Sequence, residues 1–188
     1  MLYFVRHGES QANVDNIFAG PGYPAPLTRK GREQALVAGK EILTRNLNIK
    51  HFVVSPMDRA KETAEIIANA IGFDPSAIRY DERLVEHDMG SLNGKTMAGI
   101  VSSQQIVEAP GAEAPLAFQR RVVEAMKEIV QLDGDVLIVS HGGVGRILEA
   151  SRLRSNLRDF YDIKGYPNAT VIKLTGDGQA LRPKDSFT

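Results

Sequence analysis

The chain has 188 residues, of which 43% are hydrophobic and 24% charged, and this composition suits one globular domain over residues 1–188. Its 23 Lys and Arg residues balance 23 Asp and Glu residues, so no net charge attracts nucleic acid or a membrane surface, and neither is expected as a partner. The absence of Cys excludes disulfides, thiolate metal sites and a Cys nucleophile. With no signal-peptide pattern and no long uncharged apolar run, we expect a cytoplasmic location.

The chain opens with a strand. Residues 2–5 are apolar, aromatic or β-branched, which is typical of a buried strand. Arg6, His7 and Gly8 follow directly, at the place beyond a strand's carboxyl end where open α/β sheets bind ligands. An isolated Arg-His-Gly more often forms a polar surface turn, so its interpretation depends on the rest of the chain.

The later segments alternate between helices and strands. Thr28 is the expected N-cap of the first long helix, Pro56 ends a strand, and Gly72 ends a helix. Alternation of this kind predicts a mainly parallel sheet covered on both faces. The predicted elements are a loop over 11–26 that begins with one helical turn, a helix over 31–43, a strand over 51–55, a helix over 58–71, a short edge strand within 78–84, a short helix around 97–107, a helix over 115–132, a strand over 135–140, a helix over 143–153, a loop over 154–168 and a strand over 169–174. The polar tail from Gly176 onward is expected to fray.

Two later junctions repeat the pattern of the first strand. The strand over 135–140 is followed by His141 and Gly142. The first strand is likewise followed by a histidine and a glycine, His7 and Gly8. Arg59 lies in the first turn of the 58–71 helix, where free N–H groups and the helix dipole favour an anion. A parallel sheet can therefore bring together a set of four basic residues, namely Arg6, His7, Arg59 and His141.

Convergence of these four residues suits a phosphoryl group better than a metal ion, because the arginines would repel the ion. Neighbouring arginines lower the pKa of a histidine, so His7 is expected to be neutral near pH 7 and able to attack phosphorus. The arginines then stabilise the negative charge on the phosphoryl oxygens. Glu86 can protonate the departing alkoxide, and can then take a proton from the water that attacks the phosphohistidine.

Several assignments stay open from the residues alone. Arg59 by itself could be an ordinary exposed helix residue. Asp88, two residues after Glu86, could share or take the acid role. His51 and His87 are expected to be structural or exposed. No GxGxxG or P-loop motif is present, so no nucleotide cofactor is expected. A metal site would have to be built from His7, His141, Glu86 and Asp88, and the arginines would repel the ion.

Five ordered blocks resemble the histidine phosphatase superfamily, also called phosphoglycerate-mutase-like. The blocks are VRHGES (5–10), PLTRKGREQA (26–35), SPMDRAKETA (55–64), LVEHDMGSLNG (84–94) and VSHGGV (139–144). The resemblance implies a three-layer α/β/α sandwich with a mainly parallel mixed sheet. It also implies a small phosphorylated substrate, no metal or dissociable cofactor for phosphatase activity, and favours a homodimer.

The resemblance also assigns roles to residues. His7 is the phosphorylated nucleophile and Glu86 the proton donor. Gly8 and Ser10 belong to the nucleophile motif and shape its loop. The phosphate-binding residues are Arg6, Asn13, Arg59, His141 and Gly142.

Departures from the family pattern favour a phosphatase over a mutase. Mutases and many phosphatases have an arginine four residues after Asn13, where this chain has Ile17. The basic residue that mutases place after the acid is His87 here, and their long insertion beyond the acid loop is missing. Leu92, by contrast, resembles the mutase loop more than the tryptophan common in phosphatases. The leading hypothesis is a phosphomonoester hydrolase; the alternatives are a cofactor-primed phosphoglycerate mutase and a non-catalytic interaction domain of the same fold.

Overall fold

The computed structural model describes residues 1–153 and 157–174. The predicted fraying of the tail from Gly176, and the beginning of the predicted loop at 154–156, lie outside the described residues. The strands are β1 (Leu2–Arg6), β2 (Ile49–Val54), β3 (Arg79–Tyr80), β4 (Asp135–Ser140) and β5 (Ile172–Lys173). The helices are α1 (Gln11–Val14), α2 (Arg29–Thr44), α3 (Asp58–Ile71), α4 (Ser103–Val107), α5 (Pro115–Ile129) and α6 (Gly142–Leu153). Short 3₁₀-helices cover Pro75–Ala77, Glu82–Leu84, Gly90–Leu92 and Leu157–Asp162.

The strands form one mixed sheet in the order β3-β2-β4-β1-β5. All pairings are parallel except that of β5, which runs antiparallel to β1. Arg6 at the end of β1 lies opposite Ser140 at the end of β4, and the His7 N–H extends the ladder by donating to the Ser140 carbonyl at 2.8 Å. The residues that follow these two strands therefore leave the sheet side by side.

Alternation of side chains along the strands supplies both faces of the sheet. Tyr3 and Val5 point to the face covered by α2 and α3, whereas Phe4 points to the face covered by α5 and α6. All three side chains are buried, as a sheet covered on both sides requires. This architecture confirms the predicted three-layer α/β/α sandwich with a mainly parallel mixed sheet. No helix within the described ranges is long and apolar enough to cross a bilayer.

The short edge strand predicted within 78–84 is present as β3 (Arg79–Tyr80), at the edge of the sheet. Only Arg79–Tyr80 pairs with β2, and a 3₁₀-helix over Glu82–Leu84 follows at once. The cause is local, because the Asp81 carboxylate accepts a hydrogen bond from the Arg83 N–H at 2.9 Å and starts the helical turn.

Two helices are shorter than predicted. Of the helix expected over 97–107, only Ser103–Val107 forms, because Gly99 has a φ of +85° that interrupts helical geometry. The helix expected over 115–132 ends at Ile129. The other helices agree with prediction to within two residues at each end, including the cap in which the Thr28 side chain accepts the Gly31 N–H at 2.9 Å.

The C-terminal region is also less regular than expected. Ala169 has a φ of +45°, which is outside strand geometry, so the strand predicted over 169–174 shrinks to Ile172–Lys173. The predicted loop over 154–168 contains the 3₁₀-helix Leu157–Asp162. These differences leave the sheet order and the strand ends near the candidate site unchanged.

Candidate active site

His7 leaves the sheet directly after β1 and is 3% exposed. Its Nδ1 lies 2.7 Å from the Gly8 carbonyl oxygen. Because a carbonyl only accepts, Nδ1 carries the ring proton and donates it. Nε2 is therefore unprotonated, and it accepts a hydrogen bond from Arg59 Nε at 3.1 Å. The ring thus carries its lone pair on Nε2, the atom that a nitrogen nucleophile uses, and attack on phosphorus requires this lone pair to give up the Arg59 N–H.

The loop after His7 is held against α2 and α3 through its backbone. The Gly8 N–H donates to Thr63 Oγ1 at 3.0 Å, and that hydroxyl donates to the Arg59 carbonyl at 2.7 Å. A Cβ atom on Gly8 would collide with the Gly31 carbonyl oxygen at the start of α2. Only glycine fits this approach, so Gly8 shapes the loop as expected.

Ser10 and Asn13 complete the turn that follows. They form a capping box for α1, in which the Ser10 N–H donates to Asn13 Oδ1 at 3.1 Å. Asn168 Nδ2 donates to the His7 carbonyl at 2.8 Å and approaches Asn13 Oδ1 at 3.3 Å. This contact from the C-terminal region was not predicted, because an asparagine in a turn near Pro167 is ordinary turn composition.

Two arginines line the cavity beside His7. Arg59 is 4% exposed and also donates from Nη2 to the Ala19 carbonyl at 2.7 Å. Burial lowers the pKa of Arg59 to about 10, so this guanidinium remains a cation at neutral pH. Burial lowers the pKa of Arg6 as well. Arg59 is therefore a buried residue of the cavity rather than an exposed helix residue.

His141 lies next to His7, with ring centroids 5.3 Å apart. Its Nε2 is 2.7 Å from Ser55 Oγ, an oxygen that also accepts the Met57 N–H at 3.4 Å. The Ser55 hydroxyl can therefore give its own proton to Nε2, which leaves the ring proton of His141 on Nδ1. Arg6, His7 and Arg59 thus line one cavity, whereas His141 packs against the His7 ring and is not among the residues that line the cavity.

Two buried polar atoms of this cluster, Arg6 Nε and His141 Nδ1, have no hydrogen-bond partner among the described residues. Buried polar atoms are otherwise almost always paired, so each such atom requires an explanation. Of these two residues, only Arg6 lines the cavity. Gly142, the first residue of α6, also lines the cavity and brings a helix N-terminus to it.

The two buried imidazoles make stability depend on pH. Burial lowers the pKa of His7 and of His141 well below 6.5, and the nearby Arg59 cation lowers both further. Below pH 6.5 the unfolded chain therefore binds protons that the folded chain does not, and stability is lost as pH falls toward the folded-state pKa. As the pH falls below 6.5, we expect the free energy of unfolding of wild type to decrease by up to about 1.4 kcal/mol per pH unit more than that of His7→Gln. Urea unfolding from pH 7 to pH 5 measures this, and equal losses would contradict it.

Glu86 lies in the segment that follows the 3₁₀-helix Glu82–Leu84, and its carboxyl group contacts the N-terminus of α6 and lines the same cavity. Its two carboxylate oxygens accept the Gly143 N–H at 3.0 and 3.1 Å, and Oε1 also accepts the His87 N–H at 2.9 Å. A Cβ atom on Gly143 would collide with Glu86 Oε1, so glycine makes room for the carboxyl group.

Asp88, the alternative candidate for the acid role, is placed differently. Its carboxylate accepts the Gly90 N–H at 2.9 Å and a hydrogen bond from Asn93 Nδ2 at 2.6 Å, and Asp88 is not among the cavity residues.

Arg121 on α5 holds the segment that carries Glu86, a function that the sequence did not reveal. Its guanidinium donates to the carbonyl oxygens of Arg83 and Val85 at 2.8 Å and of Glu86 at 3.0 Å. It also forms an ion pair with Glu113 at 2.7 Å. The largely buried Arg121 side chain thus holds the segment that leads to Glu86 in place.

We expect Arg121→Met to lower the free energy of unfolding by about 3 kcal/mol, because it leaves Glu113 and three carbonyl groups without their donor. The matched control is Arg120→Met, since Arg120 is its exposed neighbour on the same helix. Urea unfolding of both variants measures the difference. Equal stability of the two variants would show that the Arg121 contacts contribute nothing.

The remaining histidines are structural or exposed, as predicted. His87 is fully buried, with Nδ1 2.7 Å from the Tyr161 hydroxyl and Nε2 2.8 Å from the Glu113 carbonyl. His51 is partly exposed and contacts the Asp133 carbonyl at 2.9 Å. Among the residues that the structure describes, no group of three or more His, Asp or Glu residues is arranged to hold a metal ion.

Arg6, His7, Asn13, Arg59, Glu86 and Gly142 line one cavity of about 590 Å³ at the carboxyl ends of the central strands. This volume is within the range of small-molecule sites and exceeds what a phosphoryl group alone needs. A family model described as histidine phosphatase superfamily, branch 1, matches residues 2–185. The chain therefore belongs to this superfamily, whose members are phosphatases and mutases.

Individual relatives carry both kinds of name. The chain is 36% identical to "Probable phosphoglycerate mutase GpmB" of Salmonella choleraesuis over 154 residues, covering 75% of this chain and 69% of the relative. Among solved structures it is similar to Bacillus stearothermophilus YhfR, with 31% identity, a TM-score of 0.77 and coverage of 90% and 88% of the two chains. A mycobacterial glucosyl-3-phosphoglycerate phosphatase, solved with VO3, has 26% identity and a TM-score of 0.76, with 90% of each chain covered.

Proposed function

We propose that the protein hydrolyses phosphomonoesters through a phosphohistidine intermediate on His7. The observation that carries this proposal is the orientation of the His7 ring. Its Nδ1 donates to the Gly8 carbonyl, and its unprotonated Nε2 meets the buried Arg59 guanidinium. A lone pair beside a permanent cation suits attack on an anionic phosphoryl group, because the cation attracts the substrate without protonating the nucleophile.

The phosphoryl group binds where buried donors converge. The proposed ligands of its oxygen atoms are Arg6, Asn13, Arg59, His141 and the Gly142 region. His7 Nε2 attacks phosphorus in line, the P–O bond to the alcohol breaks, and Glu86 gives its proton to the departing oxygen. A water molecule then attacks the phosphohistidine and gives one proton to the Glu86 carboxylate. The N–P bond breaks, inorganic phosphate leaves, and both residues return to their starting states.

Mutase activity is the second candidate, because a 36% identical relative is named as a probable phosphoglycerate mutase. Two positions favour hydrolysis. Ile17, at the place where the resemblance implies a substrate-holding arginine, lines the cavity with an apolar side chain. His87, in the place of the mutases' basic residue after the acid, is fully buried and contacts Tyr161 and Glu113 instead. Ile17 is apolar and His87 does not line the cavity, so neither side chain is placed to hold a phosphorylated intermediate there.

The test is to trap the intermediate. A ³²P-labelled phosphomonoester is mixed with the enzyme and quenched in alkali, where phosphohistidine is stable. Label on His7 together with released phosphate supports the hydrolase. Label that moves within phosphoglycerate without phosphate release supports the mutase. Absence of both label transfer and phosphate release across a substrate panel would support the non-catalytic interaction domain.

A further inference from the structure

A second cavity, of about 430 Å³, meets the active-site cavity at Arg59, which lines both. Met57 lines this second cavity and is not among the residues that line the first. Its side chain is partly buried. A small solute in the second cavity can therefore reach Met57 without occupying the phosphoryl site.

The Met57 sulfur contacts two residues to which the proposed reaction assigns roles. Arg59 Nη2 donates to it at 3.8 Å, and the Glu86 N–H donates to it at 3.5 Å. Arg59 also donates from Nε to His7 Nε2 at 3.1 Å, and Glu86 is the proposed acid. A thioether sulfur is a weak acceptor, so both donors are bound to it only weakly. One sulfur atom thus lies between the cation beside the nucleophile and the backbone of the acid.

The backbone of Met57 is held in place by hydrogen bonds on both sides of the residue. Its N–H donates to Ser55 Oγ at 3.4 Å, and the same oxygen lies 2.7 Å from His141 Nε2. Its carbonyl accepts the N–H groups of Ala60 and Lys61 at 2.8 and 3.0 Å, at the start of α3. Because the chain is fixed here, a chemical change at the sulfur acts on the groups that contact the sulfur.

We propose that Met57 is an oxidation site through which a peroxide lowers the activity of this enzyme. This inference rests on the proposed phosphatase function and adds a modification that controls the same site. Hydrogen peroxide reacts with the thioether: the O–O bond breaks, one oxygen atom forms the S–O bond of the sulfoxide, and the other leaves as water. The sulfur is thereby oxidised by two electrons and the peroxide is reduced. The chain has no Cys, so thiol oxidation cannot cause the loss.

The new oxygen atom forms where two donors already point, and it makes the apolar side chain polar. Arg59 Nη2 donates to the Ala19 carbonyl at 2.7 Å, and the sulfoxide oxygen competes for this donor. Because a guanidinium is planar and rigid, a shift of Nη2 also moves Nε relative to His7. We expect oxidation of Met57 to lower kcat/KM at least about tenfold, since a misplacement of about 1 Å in an active site can cost more than this.

The test is graded oxidation of the protein with hydrogen peroxide. Activity is measured as kcat/KM for 4-nitrophenyl phosphate, and peptide mass spectrometry measures the oxidised fraction of each methionine. We expect the lost fraction of activity to follow the oxidised fraction of Met57. Full activity after oxidation of Met57, loss that follows Met97 instead, or a Met57 that peroxide does not oxidise would overturn the inference while leaving the hydrolase intact. No turnover by the untreated enzyme would overturn both.

A pair of variants ties the loss to this sulfur. Met57→Leu replaces the thioether with an apolar side chain of similar volume that peroxide does not oxidise. Met97→Leu is the matched control, since Met97 is 41% exposed and lines the active-site cavity itself. Relative to its own untreated activity, we expect Met57→Leu to resist peroxide and Met97→Leu to be inactivated like wild type. Equal inactivation of both variants, or protection by Met97→Leu alone, would overturn the inference. The wild-type comparison of the two methionines decides the question if Met57→Leu does not fold.

Discussion

His7→Ala is expected to abolish the phosphoenzyme and to lower kcat for phosphomonoester hydrolysis by at least about 10⁴-fold. The variant removes the atom that forms the N–P bond, and no other unprotonated nitrogen is held against the Arg59 guanidinium among the described residues. Alkaline-quench labelling measures the intermediate, and phosphate release measures turnover. Retention of full turnover would show that the reaction does not pass through His7.

The control for this variant is His51→Ala. His51 is a partly exposed histidine on β2 whose ring nitrogen contacts Asp133, and it does not line the cavity. We expect it to keep wild-type labelling and turnover. Urea unfolding of both variants separates loss of chemistry from loss of folded protein, because a correctly folded His7→Ala can fail only at the reaction.

Glu86→Gln is expected to lower kcat by about 10²- to 10⁴-fold, since the amide cannot give or take the proton. The amide oxygen in the place of Oε1 can still accept the Gly143 and His87 N–H groups, whereas the amide NH2 group cannot accept the Gly143 N–H as Oε2 does. With 4-nitrophenyl phosphate, whose leaving group needs no proton, formation of the phosphoenzyme is expected to be less affected than its hydrolysis. The labelled intermediate should therefore accumulate above its wild-type level.

Asp88→Asn decides whether the second carboxylate shares this role. Its oxygen accepts two hydrogen bonds within its own loop and it does not line the cavity. We expect its kcat to stay within about threefold of wild type, because effects on loop geometry are small compared with loss of a proton donor. A loss equal to that of Glu86→Gln, in a folded variant, would transfer the acid role to Asp88.

The cationic cluster was predictable from sequence because its members sit at the ends of recognisable elements. Arg6 and His7 follow an apolar strand, His141 follows another, and Arg59 lies in the first turn of a helix. The position of each is therefore set by secondary structure, and a parallel sheet brings strand ends to one edge. Local pattern and sheet geometry together were sufficient to predict this convergence.

Residues that act through tertiary contacts could not be predicted in the same way. Arg121 lies on an amphipathic helix where an arginine is ordinary, and its partners lie as many as 38 positions away along the chain. Asn168 reaches the His7 carbonyl from 161 positions away. No periodicity or cap signal marks such contacts, because they depend on how separate elements are packed.

The pairing of β1 with β4 has a consequence for how this protein can vary. Because Arg6 lies opposite Ser140, the two imidazoles that follow are separated by little more than the distance between neighbouring strands. Inserting one residue into either strand would turn the following side chains to the opposite side of the sheet. Exchanges among apolar residues of similar volume inside these strands are therefore tolerable, whereas a change in the length of either strand would separate the two histidines even in a chain that still folds.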